Sequence, residues 1–210
     1  DVKIIEKNGA YTFENMTGGI KEIQPLDFHS PYGCSKGAAD QYIHDYYRIY
    51  EIPTVSFRQS CIYGYRQFGV EDQGWVAWFM IATLLNKKIT VYGDGKQIRD
   101  LLFIEDLVSL FELAIKNKET VQGKIYNIGG GPKNTLSLLS LFDWFKETKD
   151  IQLKYDFSNL RTGDQPVYFS NIDKISNDLN WSPTIGTTEG LEKLYQWIND
   201  NLKTINRILS

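Results

Sequence analysis

Residues 30–50 read SPYGCSKGAADQYIHDYYRIY, and this stretch organises the reading of the whole chain. Ala39, Tyr42, Ile43, Tyr46 and Tyr50 recur at helical spacing, which predicts an amphipathic helix over about 32–50. Pro53 follows, and then Thr54-Val55-Ser56-Phe57-Arg58, a β-branched and aromatic run that reads as a strand. At the start of the helix stand Tyr32 and Lys36, whose i, i+4 spacing puts them on one face. A second Tyr-x-x-x-Lys pair, Tyr92/Lys96, straddles Gly93-Asp94-Gly95. That turn cannot sustain a helix, so nothing brings its two side chains together.

The chemistry open to Tyr32 and Lys36 follows from magnitudes. A tyrosine hydroxyl titrates near 10, and as a proton acceptor at neutrality it must fall by up to about 3 units, or about 4 kcal/mol. An ammonium about 4 Å away at an effective dielectric near 20 is worth about 4 kcal/mol before solvation losses. Taken by themselves the two residues read either as a proton-transfer unit or as an ordinary tyrosine on a helix surface.

Outward from this helix, strands and helices alternate. An apolar helix is predicted near 75–86, a short strand at 89–92, and a helix from Glu105 or Asp106 carrying Leu107, Leu110, Phe111 and Ala114. Lys124–Ile128 reads as a strand running into Gly129-Gly130-Gly131, a loop better explained by positive φ and close packing than by phosphate binding. Ser137 caps a predicted helix with Leu138, Leu141, Phe142 and Phe145. A strand near 152–155, a helix near 171–179 and a final helix holding Leu191, Leu194, Ile198 and Leu202 complete an α/β pattern. Before residue 31, Asn8-Gly9 and Gly18-Gly19 are turn signals around an Ala10–Phe13 strand.

Composition narrows the function classes. The 210 residues are 42% hydrophobic and 14% aromatic, enough for a core, with a net charge of −3 that lacks the basic excess nucleic-acid binding needs. Two cysteines and two histidines give neither a disulfide framework nor a metal-ligand spacing, and a reducing, cytoplasmic setting is expected. No apolar run reaches membrane-spanning length, so no membrane partner is expected.

The segment Ser30–Lys36 resembles the catalytic Tyr-Lys segment of the extended short-chain dehydrogenase/reductases, the NAD-dependent epimerases and dehydratases of nucleotide sugars. Four further segments match in the same order: 56–64 (SFRQSCIYG), 89–100 (ITVYGDGKQIRD), 126–131 (YNIGGG) and 161–165 (RTGDQ). Segments 35–41, 58–64 and 66–79 are similar to the 2-epimerase branch of that family, which acts on CDP-paratose and CDP-tyvelose. Cys61 stands where many relatives have asparagine, and Tyr65 and Thr162 stand where proline is usual.

The resemblance implies the C-terminal part of a Rossmann-type doubly wound sheet plus a smaller mixed α/β nucleotide-sugar-binding domain. Residues 1–70 would be the remnant of the NAD-binding domain, and 71–210 would mainly bind substrate, with about 101–130 returning to the Rossmann sheet. Tyr32 and Lys36 would be catalytic. They would also meet the cofactor, NAD, together with Gln59 and Ser60. Cys61, Arg99, Arg161, Asp164 and Gln165 would bind a CDP-sugar. For Arg99 a surface pair with Asp100, and for Cys61 plain packing, are the alternatives. Trp75 and Trp78 are expected in the core or pocket wall. A homodimer or higher homo-oligomer is implied, with the aromatic face Tyr42, Tyr46 and Tyr50 available for it. The chain opens at Asp1 without a methionine and without the Gly-rich turn that seats NAD in this family. The expectation is therefore the C-terminal portion of an epimerase, inactive by itself. Nucleotide-sugar 4-epimerases, 4,6-dehydratases and a binding or dimerising fragment without catalysis are the alternatives.

Overall fold

The computed structural model describes residues 2–209. A hairpin of β1 (Ile4–Lys7) and β2 (Ala10–Phe13) precedes α1 (Pro31–Tyr50), β3 (Ser56–Gln59), β4 (Cys61–Tyr63) and α2 (Trp75–Leu84). The chain continues through β5 (Ile89–Tyr92), β6 (Ile98–Phe103), α3 (Ile104–Lys116), a single turn α4 (Lys118–Val121) and β7 (Ile125–Ile128). It closes with β8 (Thr135–Ser137), α5 (Leu138–Lys149), β9 (Tyr155–Ser158), β10 (Val167–Tyr168), α6 (Asp173–Leu179), α7 (Thr187–Asp200) and α8 (Leu202–Leu209).

Local chemistry explains the boundaries of α1. The Ser30 hydroxyl accepts from the Gly33 N–H at 3.0 Å, and Pro31 takes the first turn, where a missing N–H costs nothing. The aromatic stripe faces outward. Tyr42, Tyr46 and Tyr50 are exposed, and the buried positions are Gly37 and Asp40. The packed face is the small one: a Cβ on Gly37 would enter the ring of Phe28. Asp40 anchors the helix to β3, accepting from Ser56 Oγ at 2.5 Å and from Arg58 Nη2 at 2.7 Å.

Strand β6 is the hub of the sheets. Its first half lies between β10 (parallel) and β8 (antiparallel), and its second half pairs in parallel with β4. Alternate residues of β6 feed two cores, as strand geometry requires. Leu101 and Phe103 join α2, α5, α7 and α8, whereas Leu102 joins β3, β7, α3 and α6. Helix α2 is apolar on every side and accordingly sinks into the first core, with Met80, Ile81 and Ala82 fully buried. Separate parallel pairs are formed by β3 with β7 and by β5 with β9.

Two expectations shift. The strand near 152–155 forms at Tyr155–Ser158, because its register is set by Ile89–Tyr92 opposite. The last helix breaks at Asn201, whose side-chain amide donates to the Trp197 carbonyl at 2.8 Å, so Leu202 opens a separate helix. Among the described residues no helix is long and apolar enough to cross a membrane.

Candidate functional site

Five residues from three separated segments converge on one cleft of about 220 Å³: Cys61, Arg99, Arg161, Asp164 and Gln165. Cys61 comes from β4, Arg99 from β6, and the other three from the loop between β9 and β10. The walls are completed by Glu71–Gly74, Trp75 and Phe79 on one side and by Thr90, Tyr92, Gln97 and Leu138 on the other.

Strand alternation settles the choice for Arg99. Its guanidinium lines the cleft and donates to the Ile98 carbonyl at 2.8 Å, while Asp100 is fully buried. The Asp100 carboxylate accepts from Ser60 Oγ and from the Gly131 and Ser170 N–H groups, each of the latter at 3.1 Å. No ion pair joins Arg99 to Asp100 among the described residues. Burial draws the Arg99 pKa below its ordinary value, opposed by the nearby Cys61, Asp164 and Asp100. The group remains cationic at any physiological pH. Burial pushes the Asp100 carboxyl up, against the pull of its three donors. Burial also pushes the Cys61 thiol up, against Trp75 and Arg99, which leaves a neutral polarisable wall rather than a nucleophile.

Arg161 lies flat on Tyr92, its Cζ 3.7 Å from the ring centroid, and its Nη1 pairs with Asp72 Oδ1 at 2.9 Å. The Tyr92 hydroxyl donates to Glu71 Oε1 at 2.9 Å. Glu71, Asp72, Gln73, Thr90, Tyr92 and Gln97 escaped the sequence reading. The available signal was the acid pair in a glycine-flanked loop directly before the Trp75 helix. Tyr92 and Lys96 do not act together: Lys96 turns away to Glu6 at 2.8 Å.

The other four predicted residues lie outside this cleft. Tyr32 is 73% exposed, and the Lys36 ammonium sits 5.5 Å from the centroid of its ring. The shared face is therefore formed, with the cation over the ring. Gln59 is exposed at the end of β3, and Ser60 spends its hydroxyl on Asp100. One residue, Ser60, separates Gln59 from Cys61, so at most about 7 Å of extended chain joins this surface to the cleft. The triple glycine serves packing. A Cβ at Gly129 would meet Asp100 Oδ2 at 2.1 Å, and one at Gly130 would meet the Leu101 carbonyl at 2.1 Å.

The family model described as "NAD dependent epimerase/dehydratase family" matches residues 10–129. The chain belongs to that family. Among curated epimerase/dehydratase proteins it is similar to CDP-paratose 2-epimerase of Salmonella typhi, with 44% identity over 93% of this chain and 59% of that protein. It is also similar to dTDP-glucose 4,6-dehydratase of Neisseria gonorrhoeae, with 34% identity over 86% of this chain and 54% of that protein. A solved structure of UDP-glucuronic acid 4-epimerase from Bacillus cereus, in complex with UDP-glucuronic acid and NAD, superposes with a TM-score of 0.79 at 29% identity. It is covered over 87% of this chain and 57% of that one. UDP-glucose 4-epimerase from Thermotoga maritima, solved with UDP-glucose, gives 0.79 at 26% identity, covering 88% and 58%. These neighbours are Rossmann-type α/β enzymes, and the fold described above is of that class. The chain spans a little over half the length of the epimerase/dehydratase relatives it matches.

Proposed function

We propose that this chain carries the nucleotide-sugar cleft and the catalytic Tyr-Lys pair of an NAD-dependent nucleotide-sugar epimerase, acting on CDP-paratose at C2. The single observation that carries the reading is the convergence of Arg99 and Arg161 with Cys61, Asp164 and Gln165 in one cleft from distant segments. Two guanidinium forks match the oxygens of a diphosphate. Asp164 and Gln165 suit ribose hydroxyls, and Cys61 with Trp75 offers the sugar an apolar wall. The 44% identity to a CDP-paratose 2-epimerase favours the C2 reaction and the cytosine nucleotide. The 4,6-dehydratase and 4-epimerase relatives keep chemistry at C4 as the second reading.

The residues present fit one end of NAD. Tyr32 and Lys36 present a hydroxyl and an ammonium on one open helix face, with Gln59 exposed at the end of β3, as a nicotinamide ribose requires. Nothing among the described residues cradles a pyrophosphate, since the triple glycine is filled by its own packing. When bound, NAD supplies the acceptor and donor of hydride at the sugar carbon. The chain's own part is proton transfer: Tyr32, as phenolate, takes the proton of the C2 hydroxyl and returns it after the keto sugar has turned its other face. Lys36 holds the phenolate form and the nicotinamide ribose. Ser60, bonded to Asp100, fixes the β3–β4 junction that carries Gln59 towards the cofactor and Cys61 towards the sugar. In this account the chain by itself binds NAD weakly and is inactive. It works in the cytoplasm, and the exposed Tyr42, Tyr46 and Tyr50 form the surface of a homodimer.

Titration calorimetry with CDP, UDP and dTDP tests the reading. CDP is expected to bind about tenfold more tightly than UDP, the worth of one well-made polar contact. Equal affinity for the three would remove the cytosine assignment, and preference for dTDP would favour the 4,6-dehydratase reading.

A further inference from the structure

The loop between β4 and α2 lines the cleft and is tied down by its tip. A backbone bridge between Val70 and Gln73 closes a tight turn, with hydrogen bonds of 2.9 and 3.0 Å, and leaves Glu71 and Asp72 at the apex. The turn is seated by Gly69, where a Cβ would come within 2.4 Å of the Trp78 nitrogen. From the apex Glu71 accepts from the Tyr92 hydroxyl, while Asp72 pairs with Arg161. Arg161 in turn is stacked on the same Tyr92 ring. Tyr92 thus serves both carboxylates, one through its hydroxyl and one through the cation lying on its face. Two adjacent negative charges thus line the cleft that Arg99 also lines.

We propose that Asp72 is a specificity residue: it competes with the ligand for Arg161, so that a ligand must bring enough negative charge to displace it. The inference rests on the nucleotide reading of the cleft. Geometry makes the exchange easy. The Asp72 side chain is 83% exposed and rehydrates freely when released, whereas Arg161 keeps its stack on Tyr92 and needs only a new anionic partner. Exposed ion pairs are weak and screened by salt. A diphosphate, with two charges and a fork-matching geometry, outcompetes a single carboxylate, while a neutral nucleoside leaves the pair closed. Glu71 differs in kind, since its partner is a neutral hydroxyl that no phosphate would claim.

Calorimetric titration of the 210-residue chain with CDP and with cytidine, for wild type, Asp72→Asn and Glu71→Gln, tests this. Circular dichroism and melting confirm that each variant folds. Asp72→Asn is expected to tighten CDP about fivefold with cytidine unchanged, and Glu71→Gln to shift CDP by less than twofold. Unchanged or weaker CDP binding in Asp72→Asn overturns the competition. Equal tightening by both variants also overturns it, because it would show a diffuse charge effect instead of a contest for Arg161. If CDP binds neither wild type nor Asp72→Asn, the nucleotide reading itself fails and the competition falls with it. CDP binding with no Asp72 effect sinks the competition alone.

Discussion

The cleft around Arg99 and the helix face around Tyr32 are drawn from the same ordered set of motifs, yet they are built to different degrees. Arg99 stands on a strand flanked on both sides, backed by a core in which Met80, Ile81 and Phe145 are fully buried. Its neighbour Asp100 binds three chain segments together. Tyr32 lies on a helix with only Gly37 and Asp40 buried, the first against Phe28 and the second against a strand whose only ladder partner among the described residues is β7. The difference teaches that the cleft and the Tyr-Lys face rest on separate supports in this chain. One support is a packed core, and the other is a thin seam centred on the Asp40–Arg58 pair.

Removing that pair should therefore have the largest effect. Asp40→Ala leaves Arg58 and Ser56 without their partner, and losses of about 3–5 kcal/mol accompany such truncations. We expect thermal melting to fall by many degrees, and a melting point within a degree or two of wild type would show that α1 is held by something else. Asp40→Asn, which keeps one acceptor, should lose less.

Acid separates the two regions by sign. Burial works to raise the Asp40 pKa, but the hydrogen bonds from Arg58 and Ser56 outweigh it and hold the carboxyl below its ordinary 3.8. Its stabilisation is present above the unfolded value and is lost as pH falls through the folded one. Asp100 is held above 3.8 by burial, so its folded form gains relative stability as pH falls towards its raised pKa. Carboxyl carbon NMR should find Asp40 titrating below the ordinary 3.8 and Asp100 above it. A shared titration point would erase the distinction.

Substitutions within the two surfaces give the smaller effects on ligand binding. Arg99→Ala should weaken CDP by about ten- to a hundredfold, the worth of a charge-assisted hydrogen bond. Tyr32→Phe should leave CDP affinity within twofold. A matching loss in both would mean that the helix face and the cleft form one binding surface.

Much of this arrangement was legible in the sequence because local rules govern it. The Ser137 cap, the all-apolar α2 and the Asn8-Gly9 hairpin follow from spacing and turn chemistry alone. What stayed hidden depends on partners far along the chain. The packed face of α1 stayed hidden because its contacts with Phe28 and β3 are made by a glycine and one anchored aspartate, which no hydrophobic period marks. Strand β6 was masked by Arg99-Asp100 in its middle, two charges that become admissible only through the cleft on one side and three donors on the other. Asp72 lay within the matched segment 66–79 without an assigned role, and its meaning arises only when Arg161, 89 residues later, lies opposite.

The separation of the two supports is tested most directly by calorimetry of the 210-residue chain with CDP and NAD in parallel. A built cleft and an open Tyr-Lys face predict saturable CDP binding and no NAD heat up to about 1 mM, the weak end of ordinary cofactor and substrate affinities. Micromolar NAD binding, or NAD binding without CDP binding, would contradict the account.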